Sequence, residues 1–440
     1  MTTEPQGLTR PGTLYVPRWM SVPNRILAVL CLMYLVLYID RVNLATVGPR
    51  MTAELGMSNT QFGLAVSAFS YPYALIQLFG GRIIDRLGPR RMLLICGAIV
   101  CVATVLTGFV GGMASLFALR LALGGGEGFA FPAATRAMAT WLPPARWGFA
   151  QGITHAAARL GNALTPPLLV ALMAIVSWRG AFVVLGLASS VWVILWMVVA
   201  REHPVRHPGM SDDELAELAP IESRASSSAT APWWQLARRI APVTVVDFCY
   251  GWTLWVFLTW LPSFFFQNYG LDLKRSALFS GGVLLGGVIG DWVGGVASDW
   301  IYQKTGSLQA ARRNLIIVGM IGAFVFLVPV VLTHDLTTVA VCLSLAFFFS
   351  ELVVAPIWAV PMDIAPQYSG TASGMMNFGF GIAGILSPLV FGAAVDLTGS
   401  WSIPFCASLA LLLVGAGLSF FIRPDVPFDH VPPSGVALAA

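Results

Sequence analysis

The amino-acid sequence predicts an all-α membrane protein of twelve spanning helices, arranged as two pseudo-symmetric six-helix bundles. Three observations carry that prediction. Hydrophobic residues make up 57% of the 440-residue chain and charged ones 10%, with a mean hydropathy of +0.77, far from the averages of soluble domains. The apolar residues gather into runs of the length an α-helix needs to cross a hydrocarbon core. The second six runs repeat the first six.

Taken in order, the spans fall near 25–47, 60–82, 91–112, 114–140, 147–176, 179–201, 241–267, 276–301, 311–332, 338–360, 368–396 and 400–422. Arg18 and Arg25 precede the first. Its apolar core is too long for a signal peptide and no small-residue cleavage site follows, so it is expected to remain as a spanning helix. Arg82, Arg86, Arg90 and Arg91 follow the second span, Arg136 and Arg146 the fourth, Arg201, Arg238 and Arg239 flank the central loop, and Lys304, Arg312 and Arg313 follow the eighth. The opposite loops offer mainly Arg50, Arg179, Lys274 and Arg275. The positive-inside rule then places both termini and the central loop in the cytoplasm, and the net charge of +4 reflects that bias without any nucleic acid partner. The expected organisation is a cytoplasmic segment over 1–24, a bundle over 25–201, a linker over 202–240, a second bundle over 241–422 and a cytoplasmic tail over 423–440.

Within the linker, Ser211 and Glu214 have capping-box spacing and lead into Leu215 and Leu218, which predicts a short amphipathic helix at the membrane face. The serine-rich 225–228 stretch reads as flexible linker. His203 and His207 lie beside Glu202, yet two prolines interrupt the stretch, which favours a solvated linker over a metal clip. Cys31, Cys96, Cys101, Cys249, Cys342 and Cys406 all fall inside spans with no C-x-x-C pair, as buried, reduced packing residues would.

The repeat is legible residue by residue. Gly152, Pro166, Trp178 and Phe182 recur at a nearly constant offset as Gly374, Pro388, Trp401 and Phe405, and the same offset carries His155 onto Asn377. Gly81-x-x-x-Asp85 has its counterpart in Gly295-x-x-x-Asp299. Two parallel six-helix repeats are the plan of a rocking transporter whose site lies near the bilayer midplane, between the halves.

Ionisable residues inside spans are costly and therefore mark functional sites. Asp40 and Arg41 stand in the first span, Arg120 and Glu127 in the fourth. Arg120 and Glu127 are two helical turns apart, roughly 10 Å along the axis, which leaves room for a ligand in place of a direct salt bridge. Asp40 and Arg41 are adjacent, so they point in different directions and serve different partners. Arginine stays charged and its planar fork matches a carboxylate, which suits Arg41 and Arg120 to holding an anion. Carboxylates in a low-dielectric cavity can exchange protons near neutrality as their surroundings change, which makes Asp40 and Glu127 the candidate proton carriers. Bringing in a monovalent anion with one proton moves no net charge, and a second proton would add the membrane potential as a driving force. In the second half, Asp247, Asp291 and Glu351 are the intramembrane acids. Asp291 lies close to two turns before Asp299, as if both belonged to a cytoplasmic gate, and Glu351 needs a partner from another helix. Trp252, Trp255, Phe257 and Trp260 form an aromatic run best read as a lipid-facing or packing stripe.

Gly81-Arg-Ile-Ile-Asp85-Arg86-Leu-Gly88-Pro-Arg90-Arg91 resembles the signature loop of the major facilitator superfamily. That resemblance implies the major facilitator fold, with Gly81, Asp85, Arg86, Gly88, Arg90 and, in the second half, Asp299 forming a cytoplasmic latch. A narrower likeness covers almost the whole chain. Tyr38-Ile-Asp40-Arg41-Val-Asn43-Leu and Arg120-x6-Glu127-x3-Phe131-Pro132-x3-Arg136 are similar to the anion:cation symporter family, which includes bacterial sugar-acid transporters and the sialin and vesicular glutamate carriers. Trp260-Leu-Pro262 and Asp396-x-x-Gly399-Ser-Trp401 resemble its bacterial branch. The resemblance implies that Tyr38 and Tyr73 line the cavity and can hydrogen-bond substrate hydroxyls. The internal repeat adds His155 and Asn377 from opposite halves. The chain departs from the sugar-acid members in the fifth span, where they carry an amide near this histidine. Here Ala156, Ala157 and Ala158 follow it and Arg159 lies one turn on, with a structural role slightly preferred over an anion contact.

A primary pump is excluded by the lack of a G-x-x-x-x-G-K-[ST] loop, and an enzyme by the lack of a nucleophile–base pair or metal constellation. The expectation is a monomeric symporter of the inner membrane that imports a small organic carboxylate by alternating access, with protons as the coupling ion and no cofactor. The rival is a proton-coupled exporter on the same fold, against which Gly161-Asn-Ala-Leu-Thr-Pro-Pro167 lacks the G-x-x-x-G-P-x-x-G-G pattern of such antiporters.

Overall fold

In the computed structural model, residues 21–143, 146–218, 232–365 and 368–428 are described, and the side chains of Gly81, Arg82, Asp85, Trp147, Gly148 and Ser369 are not. The expected terminal segments, most of the tail and the serine-rich 225–228 stretch lie largely or wholly outside the described residues.

The helices are α1 (Val22–Leu55), α2 (Asn59–Ser67), α3 (Ser70–Leu87), α4 (Pro89–Thr107), α5 (Met113–Trp141), α6 (Trp147–Met173), α7 (Trp178–Val199), α8 (Asp212–Ala216), α9 (Trp233–Ser263), α10 (Leu273–Thr305), α11 (Leu315–Leu332), α12 (Leu336–Glu351), α13 (Val354–Ile364), α14 (Ser369–Thr398) and α15 (Phe405–Ser419). The second span is α2 with α3 and the tenth is α12 with α13, so the described helices supply the twelve expected crossings. Among the described residues, ten segments are long and apolar enough to cross a membrane, and α15 is a shorter apolar helix.

Local sequence explains the ends. Ser58 caps α2 through a complete capping box with Gln61, and Ser211 does the same for α8 with Glu214, as predicted. Asp272 caps α10 by accepting the Arg275 amide at 2.8 Å. Asp335 caps α12, and the donors of Thr338 hold its carboxyl below the usual carboxylate range. Gly88, between α3 and α4, adopts φ +80°, a left-handed value that Pro89 then converts into a new helix start.

Packing relies on glycine where backbones meet. Gly286, Gly290 and Gly294 recur every four residues along α10 and lie against the carbonyls of Ser344 and Phe348 in α12 and of Leu352 at its C-cap, a ridge of small residues that admits close helix approach. The same device joins the halves: Gly63 of α2 lies against the Pro388 carbonyl of α14, and Gly392 lies against that of Asn59. The interface between halves is built from α2 and α3 on α14, α6 on α10, and α1 on α9.

Several expectations are corrected here. Of the two readings of the aromatic run, packing holds and lipid-facing does not: Trp252, Trp255, Phe257 and Trp260 are all buried, Trp260 stacking on Phe391 at 5.3 Å and Phe257 on Phe347 at 4.9 Å. Of the six cysteines only Cys96 and Cys249 are buried; Cys31, Cys101 and Cys342 are half-buried and Cys406 is exposed. His207 is not a freely solvated linker residue, since it docks edge-on to Trp141 at 5.8 Å, its Nδ1 accepts the Gly209 amide at 3.0 Å and its Nε2 lies 3.1 Å from the Val199 carbonyl.

Candidate functional site

Asp40, Arg41, Arg120 and Glu127 are all buried, with relative exposures of 5% or less. The pairing follows from α1 and α5 facing one another in the N-terminal half. Arg41 Nε donates to Glu127 Oε2 at 2.6 Å, while Arg120, two turns before Glu127 on the same helix, takes no salt bridge to it. Asp40 points elsewhere, as adjacency requires, accepting from Asn43 Nδ2 at 3.2 Å and Ser189 Oγ at 3.3 Å.

The Arg41 guanidinium carbon sits inside a cage of rings, 4.7 Å from the centroid of Tyr38, 4.9 Å from Phe131, 5.0 Å from Tyr73 and 5.2 Å from Phe69. The Arg120 guanidinium carbon lies 5.5 Å from the centroid of the shared Phe69. Ring faces attract cations without supplying a hydrogen-bond acceptor. Donor capacity is therefore left over: Arg41 Nη2, Arg120 Nε and Arg120 Nη2 are buried with no hydrogen-bond partner among the described residues. Burying donors unpaired costs about 1–3 kcal/mol each, more when charged, and the one carboxylate oxygen left over beside them, Glu127 Oε1, is likewise buried without a partner among the described residues.

The repeat-related pair also meets the centre. Asn377 Nδ2 donates across the interface to Tyr73 Oη at 3.5 Å. His155 lies 5.7 Å from the Tyr34 ring and 6.4 Å from Trp358 of the opposite half. Tyr73, His155 and Asn377 thus touch the opposite half, while the contacts of Tyr38 are with Arg41, Phe131 and Arg159 of its own half.

A second charged cluster was only half legible. Arg159 Nε lies 2.9 Å from Glu351 Oε2 and 3.2 Å from Asp291 Oδ2, and Tyr250 Oη donates to Glu351 Oε1 at 3.1 Å. This corrects the reading of Asp291 as a gate residue: its carboxylate turns to Arg159 between the halves, while Asp299, two turns on, lies 3.9 Å from Arg312. Glu351 has the partner from another helix that it needed. Sequence reasoning missed Tyr250, Phe69 and Ser189. Tyr250 had a signal, as one of few phenols within a span, whereas Ser189 and Phe69 had none.

The sequence profile of the Major Facilitator Superfamily matches residues 30–388. The chain belongs to that superfamily. It is 49% identical over 408 residues to a probable sulfoacetate transporter of Cupriavidus necator, covering 92% of this chain and 95% of that one. It is 30% identical to a D-galactonate transporter of Escherichia coli over 81% of this chain and 85% of the other. In fold it resembles a crystal structure of a bacterial homologue of the human lysosomal transporter Spinster, with a TM-score of 0.68 and 17% identity, covering 92% of this chain and 97% of that one. The protein is an integral membrane transporter, not an enzyme.

Within this superfamily fold, contacts that bind the halves lie on either side of the charged centre. At the end opposite the termini, Asp396 of α14 takes the N-terminus of α2: Oδ1 accepts from the Asn59 amide at 3.2 Å and Asn59 Nδ2 at 2.8 Å, and Oδ2 accepts from the Thr60 amide at 2.7 Å and Thr60 Oγ1 at 2.6 Å. Phe62 packs on Trp260 of the other half just beneath, with centroids 5.6 Å apart. At the end bearing the termini, Phe79 stacks on Trp233 at 6.5 Å. In the signature loop, Arg90 does not reach across to the other half. Its Nε donates to the Ala200 carbonyl at 2.8 Å and Nη2 to that of Met197 at 3.3 Å, tying α4 to the end of α7. Arg86 is exposed, Gly88 makes the turn, and Gly81 and the Asp85 side chain lie outside the described set. In the second half, Arg312 gathers Asp363 at 2.9 Å, Ser298 and Asp299.

Proposed function

We propose that this transporter imports a small organic acid anion together with protons across the cytoplasmic membrane, by rocking its two halves about the buried charges. The carrying observation is the set of unpaired guanidinium donors on Arg41 and Arg120 beside an arginine–carboxylate pair. In the resting pair Glu127 occupies Arg41. A proton on Glu127 removes the acceptor's charge, frees the Arg41 fork and leaves two uncompensated guanidiniums, for which an incoming carboxylate or sulfonate is the complement. Asp40, held by Asn43 and Ser189 in place of a cation, is the second proton acceptor. Tyr73 and Asn377, joined across the interface, couple occupancy of the site to the fit between the halves. The gate set of Gly81, Asp85, Arg86, Gly88, Arg90 and Asp299 acts at the end bearing the termini, which the cation bias of the loops assigns to the cytoplasm.

The names of the relatives, a probable sulfoacetate transporter and a D-galactonate transporter, support an organic acid as cargo. The test is reconstitution into liposomes carrying a pH-sensitive dye, with organic acids added under an imposed gradient. The expected result is internal acidification that depends on the acid and disappears in Arg41→Ala and Arg120→Ala. Silence with every acid, together with proton release on adding a lipophilic cation, would replace this reading with the exporter.

A further inference from the structure

The cluster around Arg159 repeats the logic of the first site with a different helix set. Arg159 projects from α6 of the N-terminal half, whereas Asp291, Glu351 and Tyr250 come from α10, α12 and α9 of the other half. Arg159 and Glu351 are buried, and Asp291 is 13% exposed. One cation held by two carboxylates is an unbalanced group, costly to keep away from water and rarely retained for stability alone. Arg159 Nη1 still has no partner among the described residues.

The two arginines share a ring. The guanidinium carbon of Arg41 is 4.7 Å and that of Arg159 5.8 Å from the Tyr38 centroid. Those distances cap the separation of the two forks at a span that a short molecule with an acidic group at each end can bridge. Each fork is held in the resting protein by a carboxylate, Glu127 for Arg41 and Glu351 for Arg159, which occupies the place of an incoming anion.

We propose that Arg159 is a second anion-binding group and that the substrates are small dianions, one acidic group going to Arg41 and Arg120 and the other to Arg159. This rests on the transport reading above and adds to it the specificity: a second carboxylate or sulfonate displaces Glu351 from Arg159. Because Arg159 lies on one half and its carboxylates on the other, a dianion bound to both forks exchanges a contact between halves for a contact with cargo, which ties recognition of the second group to the rocking step.

The test is calorimetric binding to the purified full-length protein, comparing two-headed sulfoacetate with one-headed glycolate. Removing Arg159 alone strands two carboxylates, so the principal variant is the charge-matched Arg159→Gln/Glu351→Gln. The wild type should bind sulfoacetate at least about tenfold more tightly than glycolate, the size of one charge-assisted contact. The double variant should lose that preference while its glycolate affinity stays within a factor of about three. Arg159→Lys, which keeps the charge and needs no compensating change, should retain a reduced preference. A preference unchanged in the double variant, none in Arg159→Lys, or none in the wild type would overturn the role of Arg159 and leave the transport reading standing. Binding of neither acid by the wild type would overturn the dianion assignment, while the transport reading falls only on the liposome result above.

Discussion

Asp396 offers the clearest handle on how the halves are held together. Its two carboxylate oxygens take four donors from Asn59 and Thr60, two of them backbone amides in the first turn of α2. Those amides belong to the helix end whose donors have no intrahelical partner. Replacement by Asn keeps the shape but turns one oxygen into a donor facing donors, and removes the charge from the positive end of a helix dipole. An N-capping contact is worth about 1 kcal/mol and the charge–dipole part about 0.3–1 kcal/mol at an exposed site. Asp396→Asn should therefore weaken closure of this end by about 1–2 kcal/mol, a factor of roughly 5–30 between conformers. Spin labels at Arg50 and Leu397, both exposed and on opposite halves at this end, read the separation by pulsed electron resonance. The wild type should give one short distance, and Asp396→Asn a second, longer population that retreats when substrate is added. An unchanged distribution would refute the assignment of Asp396 as a clasp, because no other consequence of losing its charge would spare the separation.

Glu127→Gln should abolish proton-driven accumulation in liposomes while sparing counterflow exchange, since the amide cannot carry a proton but no longer neutralises Arg41; loss of both activities would sink its role as a proton carrier. Gly290→Ala places a methyl against the Phe348 backbone, an overpacking expected to cost about 2 kcal/mol, so its thermal midpoint in detergent should fall by several degrees; an unaltered midpoint would show that α10 and α12 can part freely. His207 is held below its ordinary value chiefly by burial, and with Nδ1 accepting from Gly209 its neutral form is the docked one. A depressed folded value means the contribution is present above the ordinary value of 6.5 and is lost as pH falls through the lower folded value. Cleavage within 202–211 by an acid-tolerant protease should therefore rise below that pH in the wild type, and a His207→Gln variant should lose that pH dependence.

Much of the architecture was written in composition and spacing. Runs of spanning length, the Gly152–Pro166–Trp178 set recurring as Gly374–Pro388–Trp401, and the signature loop determined a twelve-helix superfamily transporter, because a bilayer leaves a chain few ways to satisfy its backbone. The four charges of the first and fourth spans were likewise legible, since an ionisable group among apolar neighbours stands out in one dimension. What the tertiary structure decided was partnership. Glu127 bonds to Arg41 and leaves Arg120 with unpaired donors, Asp291 turns from the expected gate to Arg159, and Glu351 and Tyr250 complete that cluster from helices distant in sequence. Periodicity reports which face of its own helix a residue occupies, but which helix stands opposite depends on how backbones approach. In this protein that approach is set at contacts such as Gly63 on Pro388 and Gly290 on Phe348, between residues hundreds or dozens of positions apart.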